Sequence, residues 1–134
     1  MPSSDGPSDG GQRRDMPERG SMHWERSSPE LTARFEATTA AMPGLTRRKM
    51  FGEAAAFVNG NMVTGLHAGR WFVRLTGQAK AEALALPGAG PFEPIPGRPM
   101  GDYVVLPATF VGDDAALARW LERAIEVGRA LKPK

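Results

Sequence analysis

The dipeptide Asn59-Gly60 constrains the fold of this chain more than any other feature of its sequence. It separates two runs with strand character, residues 53–58 and 61–66. Asn-Gly between such runs favours a two-residue type I′ turn, because both residues tolerate the positive φ that this turn needs. Ala68-Gly69 can form a second turn into residues 70–75. The sequence therefore predicts an antiparallel meander of three strands.

Two short turns also predict which residues of the meander share a face. The predicted cross-strand pairs are Phe57 with Met62, Thr64 with Val73, and Leu66 with Trp71. Because side chains alternate across a strand, one face should form the core, and its predicted members are Phe57, Met62, Thr64, Leu66, Trp71, Val73 and Leu75. The opposite face should be mixed and partly wet, and its predicted members are Ala54, Ala56, Val63, Gly65, His67, Arg70, Phe72 and Arg74.

The segments around the meander complete an α+β pattern. Helices are predicted from Ser28-Pro29 to Met42, over residues 78–85, and from Asp113 or Asp114 to about residue 131. Residues 103–106 are typical of a further strand, whereas the prolines and glycines of residues 87–99 disfavour a helix or a central strand. We therefore predict an α+β fold: a mainly antiparallel sheet of about four to five strands, flanked by N-terminal, middle and C-terminal helices.

Residues 1–28 differ in composition from the rest of the chain. They are rich in Ser, Gly, Pro, Asp and Arg, and their large apolar side chains are Met1, Met16, Met22 and Trp24. Such a segment buries too little apolar surface to offset the entropy of ordering it. We predict a disordered tail over residues 1–28 and a domain over residues 29–134. A tail that docks through Trp24 is the less favoured alternative.

The chain carries no signal for a membrane or an oxidising compartment. It has no cysteine, no run of about 18 apolar residues, and a polar N-terminus where a secretory signal would need an apolar segment. A cytoplasmic location without membrane association is therefore expected.

The predicted domain is poor in the side chains that ordinary catalysis uses. Residues 29–134 contain no serine and no cysteine, and their single histidine and single tyrosine are His67 and Tyr103. A Ser-His-Asp or Cys-His arrangement cannot be assembled, and no spacing typical of a zinc site is present. Hydrolysis by a pair of carboxylates stays open in principle. We expect no enzymatic activity, no catalytic residue, no metal and no cofactor.

Two groups of residues, most of them basic, are candidates for an interaction surface. Arg47, Arg48 and Lys49 form a basic run that could contact phosphate or an acidic protein. The simpler interpretation of this run is an edge strand protected from aggregation by its charges. The second group lies on the mixed sheet face and consists of His67, Arg70, Phe72 and Arg74. Its simpler interpretation is a partly covered face on which arginine stems shield apolar side chains.

Arg98 is a third candidate, presented by the stiff segment Pro96-Gly97-Arg98-Pro99-Met100. Ordered loops of this length are often functional, although prolines also stabilise a connector by reducing the entropy of the unfolded chain. A small-molecule site between this loop and the sheet would gather Glu93, Arg98 and Asp102.

Three pieces of the sequence, taken together, resemble the N-terminal domain of the TfoX/Sxy competence regulators. They are Met50-Phe51-Gly52 with the following hairpin, the strand Gly69-Arg70-Trp71-Phe72-Val73-Arg74-Leu75, and the segment from Pro91-Phe92 through Arg98-Pro99-Met100 and residues 103–107 to the last helix. The resemblance implies a compact α+β domain and a link to transcriptional control of competence, in which larger members act alongside a DNA-bound activator. Glu53 departs from the pattern, because many members have a second glycine there.

We therefore expect a non-enzymatic protein-interaction module linked to transcriptional or competence regulation, with a protein partner. Weak, direct nucleic-acid binding through Arg47, Arg48, Lys49, Arg70 and Arg74 is the alternative. A small-ligand-binding domain is the third hypothesis.

Overall fold

The computed structural model describes residues 26–50 and 52–134. Their strands are β1 (Thr46–Met50), β2 (Glu53–Val58), β3 (Asn61–His67), β4 (Arg70–Arg74), β5 (Gly90–Pro91) and β6 (Tyr103–Val105). Their α-helices are α1 (Pro29–Ala40), α2 (Gly77–Leu84) and α3 (Asp114–Ala130), and a 3₁₀-helix covers Ala108–Gly112. Most of the predicted tail, with Trp24, lies outside the described residues.

The strands form one antiparallel sheet with the order β1-β2-β3-β4-β6-β5. The predicted α+β fold is confirmed, and the sheet has six strands rather than four or five. The addition is β5, two residues long, in the Pro- and Gly-rich segment. Pro91 is tolerated there because β5 is an edge strand, whose outer side needs no hydrogen-bond donor. None of the helices in the described part of the chain has the length and apolar character needed to cross a bilayer.

Local sequence signals explain where the longer helices begin. The Ser28 hydroxyl accepts a hydrogen bond from the Leu31 amide at 3.0 Å, and Pro29 occupies the first helical turn of α1. The Asp113 carboxylate accepts one from the Ala116 amide at 3.1 Å, so Asp113 rather than Asp114 caps α3.

The two turns of the meander form as predicted. Asn59 and Gly60 have φ of 52° and 83°, and Ala68 and Gly69 have φ of 52° and 82°. All three predicted pairs are present: Phe57 with Met62, Thr64 with Val73, and Leu66 with Trp71.

The prediction of which residues share a face was wrong for part of β2 and β3. Ala56 pairs with Thr64 and Phe57 with Met62, so Val63 is an extra residue in β3. An extra residue in one strand shifts the alternation of side chains by one position. As a result Phe57 and Met62 lie on the face that was predicted to be mixed and partly wet. The residues predicted there that instead pack in the main core are Ala54, Ala56 and Val63.

The two faces of the sheet are covered by different material. The helix face packs against α1, α2 and α3, and its largest fully buried side chains include Trp71, Phe35, Leu66, Leu75, Leu117 and Leu121. The loop face carries a smaller buried cluster, whose members are Ala55, Phe57, Met62, Phe72, Phe92, Tyr103 and Val105. Phe92 belongs to the chain segment between β5 and β6, which folds back across this face.

Candidate functional site

The basic run lies on an edge strand of the sheet. Arg47, Arg48 and Lys49 are all exposed and occupy the centre of β1, which within the described residues pairs only with β2. Arg47 and Lys49 lie opposite Ala56 and Ala54 and therefore face the helices, whereas Arg48 lies on the loop face. The guanidinium of Arg48 stands 4.3 Å from the centre of the Phe57 ring. The strand thus presents cations to both sides of its free edge.

A groove of about 580 Å³ runs between α1 and β1. Phe35 and Ala54 provide apolar lining, and the cationic residues that line it are Arg26, Arg47, Arg48 and Lys49. The Arg48 side chain itself points to the loop face. The carboxylates along it are Glu36 and Glu53. Arg47 donates a hydrogen bond of 3.3 Å to the Glu36 carbonyl across the groove, which holds α1 beside the edge strand.

Glu53 fastens three chain segments together at one end of this groove. Its carboxylate accepts hydrogen bonds from the Ser27 amide at 3.0 Å and from the Ala68 amide at 2.6 Å. The Ser27 hydroxyl in turn accepts from the Gly69 amide at 3.0 Å, and Arg26 donates to the Gly52 carbonyl at 2.9 Å. Residues 26 and 27, which the sequence assigned to the tail, therefore contact the sheet.

The hydrogen bonds to Glu53 also change its acidity. Burial by itself raises the pKa of the carboxyl. The hydrogen bonds from Ser27 and Ala68, helped by the nearby His67, outweigh burial and hold the pKa below its ordinary value of 4.5. Glu53 is thus an ionised structural acceptor. Neither its place at the start of a predicted strand nor its departure from the family pattern had indicated this role.

The role of Glu53 follows from the bulge at Val63. Pairing of Ala55 with Gly65 brings Glu53 level with His67, next to the Ala68 turn. Ideal pairing from the Asn59-Gly60 turn would have placed Glu53 beside Leu66 instead. The available signal was a lone acid at the start of a strand, and it was not specific enough to reveal the contact.

The second sheet face was predicted to be mixed and partly wet, and Arg70 is indeed exposed there. Phe72, predicted as part of the interaction surface on this face, is buried, and the prediction is corrected for that residue. Phe72 is 1% exposed and stacks on Phe92 with ring centres 4.1 Å apart. His67 is half-buried and makes an edge contact with Phe92 at 5.5 Å. The reason is that residues 92–100 return over this face, and no periodicity in that segment indicates its path.

Arg74 is also unsuited to contact a partner. Its guanidinium lies 3.4 Å from the Tyr103 hydroxyl and 3.8 Å from the Asp102 carboxylate, and its side chain is 20% exposed. Burial raises the pKa of Tyr103, while Arg74 acts in the opposite direction. The Tyr103 hydroxyl donates to the Met62 carbonyl at 2.8 Å, and this hydrogen bond links β6 to β3.

Arg70 and Arg98 are exposed cations remote from the edge strand in the order of the sheet. Arg70 begins β4. Arg98 lies in the segment between β5 and β6 and forms an isolated β-bridge with Ile95, which is 54% exposed. The structure therefore groups Arg47, Arg48 and Lys49 and separates them from the other predicted site residues.

The proposed small-molecule site beneath the loop is filled by protein. Phe92, Tyr103 and Met100 occupy the space between the loop and the sheet. Glu93 accepts from the Gly97 amide at 3.4 Å within its own loop, and Asp102 lies beside Arg74. Among residues 26–50 and 52–134, no group of three or more His, Asp or Glu side chains is placed to hold a metal ion.

Comparison with protein families identifies the TfoX N-terminal domain over residues 36–128. Comparison with curated proteins and with solved structures finds no match. The family match covers more than half of the chain and spans the whole sheet, α2, the last part of α1 and all but the last two residues of α3. The chain belongs to the TfoX N-terminal domain family.

Proposed function

We propose that this TfoX N-terminal domain is a non-enzymatic module that binds another protein through the edge strand β1, within a complex that regulates transcription. Family membership supports the regulatory setting, because the larger competence regulators that the sequence resembles act alongside a DNA-bound activator. Fold alone does not fix function, so the argument for binding depends on the surface itself.

The observation that carries the proposal is the exposed, cationic free edge at β1. Four of its five residues are exposed, and three of them are cations. An unpaired strand edge offers a row of backbone donors and acceptors to another chain. The charges prevent indiscriminate aggregation while attracting an acidic surface, so both earlier interpretations of the basic run apply to the same strand.

The engagement of the serine hydroxyls supports a role without catalysis. Ser27 and Ser28 are the serines of the described residues. Both hydroxyl oxygens serve as acceptors for backbone amides, Ser27 for Gly69 and Ser28 for Leu31. A nucleophile needs a neighbouring base that takes its proton. The carboxylate beside the Ser27 side chain is that of Glu53, whose lowered pKa makes it a weak base. Both serines therefore serve as structural caps.

Site-specific photocrosslinking in the source cells tests the proposal. A photoreactive amino acid in place of Thr46, which is exposed at the start of β1, should capture a protein partner. The same amino acid in place of Arg119, exposed on α3, should not. The double variant Arg47→Glu/Lys49→Glu should abolish capture from position 46, whereas Arg119→Glu/Lys132→Glu, which changes net charge equally, should leave it intact.

Equal capture in both double variants would remove β1 as the binding surface. Circular dichroism of each variant serves as the folding control. All four substituted side chains are exposed, and surface changes without specific contacts usually alter stability by about 0.5 kcal/mol or less. Arg47→Glu also removes the hydrogen bond to the Glu36 carbonyl and should cost about 1 kcal/mol, so the unfolding midpoints of both double variants are compared as well.

Direct nucleic-acid binding is the rival function, favoured by the three adjacent cations of β1. A titration with duplex and single-stranded DNA at low and moderate salt separates the two functions. Phosphate neutralisation predicts affinity that falls steeply as salt rises. We expect no binding that requires β1, because Arg47 and Lys49 face away from Arg48 and the aromatic Phe72 is buried.

A further inference from the structure

We infer that β1 binds an extended acidic peptide as an additional strand of the sheet. The inference rests on the proposed function and names the chemistry of the partner: a segment with carboxylates at every second residue, held by backbone hydrogen bonds along β1. Three features of β1 favour such a strand: its free outer edge, the alternation of its cations, and the groove beside it.

The two edges of the sheet differ in their capacity to accept a strand. The β5 edge has two residues, and one of them is Pro91, which has no amide hydrogen to donate. The β1 edge has five residues, and in the described part of the chain it has no partner on its outer side. Strand addition needs a row of free backbone groups, so β1 is the edge that can support it.

The cations of β1 impose a pattern on the incoming strand. Arg47 and Lys49 face the helix side, and Arg48 faces the loop side over Phe57. Residues directly opposite each other on neighbouring strands share a face. Carboxylates at alternate positions of an added strand would therefore meet Arg47 and Lys49, while the residues between them would lie beside Arg48 and Met50.

The groove beside β1 provides room on the helix side for those carboxylates. Its volume of about 580 Å³ lies between α1 and Arg47 and Lys49, with Phe35 and Ala54 among its lining residues. The cationic lining residues (Arg26, Arg47, Arg48 and Lys49) outnumber the acidic ones (Glu36 and Glu53), so the lining carries a net positive charge. The field in the groove is consequently positive and favours acidic side chains.

The same charges argue against a second copy of this chain as the occupant. Antiparallel pairing of two β1 strands about their centre would place Arg48 against Arg48 and Arg47 against Lys49 of the other copy. Like charges directly opposite each other destabilise a pair of strands. A strand with the opposite charge at these positions fits where a copy does not.

The first experiment measures binding of a capped, dye-labelled peptide of alternating glutamate and valine to the full chain by fluorescence anisotropy. Arg47→Glu/Lys49→Glu should weaken binding by at least roughly tenfold, and a peptide with glutamine in place of glutamate should lose a similar factor. Arg119→Glu/Lys132→Glu should change the affinity by less than about twofold, since exposed charges far from the site are screened by salt.

The second experiment tests strand pairing itself. Two peptides of identical composition carry N-methyl groups on alternate amides, one set at the glutamates and the other at the valines. An added strand directs alternate amides towards β1 and the others away. One methylated peptide should therefore lose at least roughly tenfold in affinity through lost hydrogen bonds, while the other should bind within about threefold of the parent. Amide hydrogen exchange should slow within Thr46–Met50 when the parent peptide binds.

The outcomes separate this inference from the proposed function. Equal effects of the two methylation patterns, or unchanged exchange in β1, would overturn strand addition even if crosslinking at position 46 supports a protein partner. Self-association of the chain that the peptide does not reverse would identify a second copy as the occupant and also overturn it. Displacement of the peptide by DNA, with strong salt dependence, would overturn both proposals in favour of nucleic-acid binding.

Discussion

The helix face and the loop face of the sheet reach a buried state by different routes. On the helix face, Trp71 is 2% exposed, lies 5.0 Å from Phe35 between ring centres, and donates its indole N–H to Thr64 at 2.9 Å. On the loop face, Phe72 is equally buried, but its cover is Phe92, delivered by a segment with little regular structure.

The difference shows what periodic patterns can and cannot predict. The apolar residues of α1 and α3 recur at helical spacing, for example Leu31 and Phe35 in α1 and Leu117, Leu121 and Ile125 in α3. The sequence therefore indicates which elements cover the helix face. Phe92 stands among prolines and glycines at residues 87–99, where no period applies. The loop face therefore looks like a surface until the tertiary structure is known. Substitutions on the two faces should therefore differ in their effect on the free energy of unfolding.

Removing the indole from the helix face should have the largest effect. Trp71→Ala leaves a cavity against Phe35 and removes the N–H group from which Thr64 accepts, although the Thr64 hydroxyl still donates to the Phe72 carbonyl at 2.7 Å. It should lower the free energy of unfolding by about 4–5 kcal/mol, near the upper end for a buried aromatic side chain. Urea unfolding followed by circular dichroism measures this. Trp71→Phe, which keeps much of the packing, should cost about 1–2 kcal/mol and gives a measurable value if the alanine variant is unfolded.

Removing the cover of the loop face should have a smaller effect. Phe92 is 2% exposed and contacts Phe72, Tyr103 and His67. Phe92→Ala should cost about 3 kcal/mol, at the low end for a buried aromatic, because an irregular segment can collapse into the cavity more readily than a helix. A cost equal to or above that of Trp71→Ala would break the distinction between the two faces.

A small addition at the helix–sheet contact should sharpen the same comparison. A β-carbon on Gly128 of α3 would lie 2.6 Å from Val63 Cγ1 and 2.9 Å from Val58 Cβ. Helix propensity alone would make Gly128→Ala stabilising by up to about 1 kcal/mol. Overpacking against two stiff valines should reverse the sign and give a net loss of about 1–2 kcal/mol.

Gly112→Ala is the matched control, because nothing lies within 4 Å of a β-carbon there. It should change the midpoint of thermal unfolding little. A stabilised Gly128→Ala variant would show that α3 shifts away from the sheet without cost, and would contradict tight packing of the helix face.

The smallest effect concerns the hydrogen bonds that the Glu53 carboxylate accepts from the Ser27 and Ala68 amides. The folded pKa of Glu53 is lowered, so folding favours its ionised form. Its contribution is therefore complete above the ordinary value of 4.5 and is lost as pH falls through the lower, folded pKa. Glu53→Gln should cost about 1 kcal/mol at neutral pH, and the difference from wild type should shrink in acid.

Urea unfolding at neutral pH and at pH values below the ordinary carboxyl pKa tests this prediction. Glu122→Gln, an exposed change on α3, is the control for the loss of one carboxylate without a change in side-chain size. A constant difference between Glu53→Gln and wild type at every pH would mean that the carboxylate is not held by Ser27 and Ala68.

The sequence predicted the fold better than the site. Turn chemistry at Asn59-Gly60 and Ala68-Gly69 was sufficient for the meander, its pairs and the antiparallel sheet. The same reasoning failed for the faces of Phe57 and Met62, because a single bulge at Val63 reverses the alternation of side chains between the two faces. No residue type at this position indicates a bulge.

For the candidate site, the basic run at Arg47–Lys49 was identified from its charges, and its position on an edge strand agrees with the simpler of its two interpretations. Its groove was not predictable, since α1 and β1 approach each other only in the folded chain. The sequence placed Arg70, Phe72 and Arg74 correctly on one side of β4. It did not show that later segments of the chain bury Phe72 and much of the Arg74 side chain.

The sequence by itself determined the elements of this protein: where helices are capped, where two turns reverse the chain, and that the described domain carries few catalytic side chains. Those properties depend on neighbours within a few residues, so local chemistry suffices. Tertiary structure alone decided which face Phe57 joins, what covers Phe72, what Glu53 holds, and which cations keep a free edge. Those depend on contacts between residues far apart along the chain, and the geometry of such contacts exists only once the whole sheet has formed.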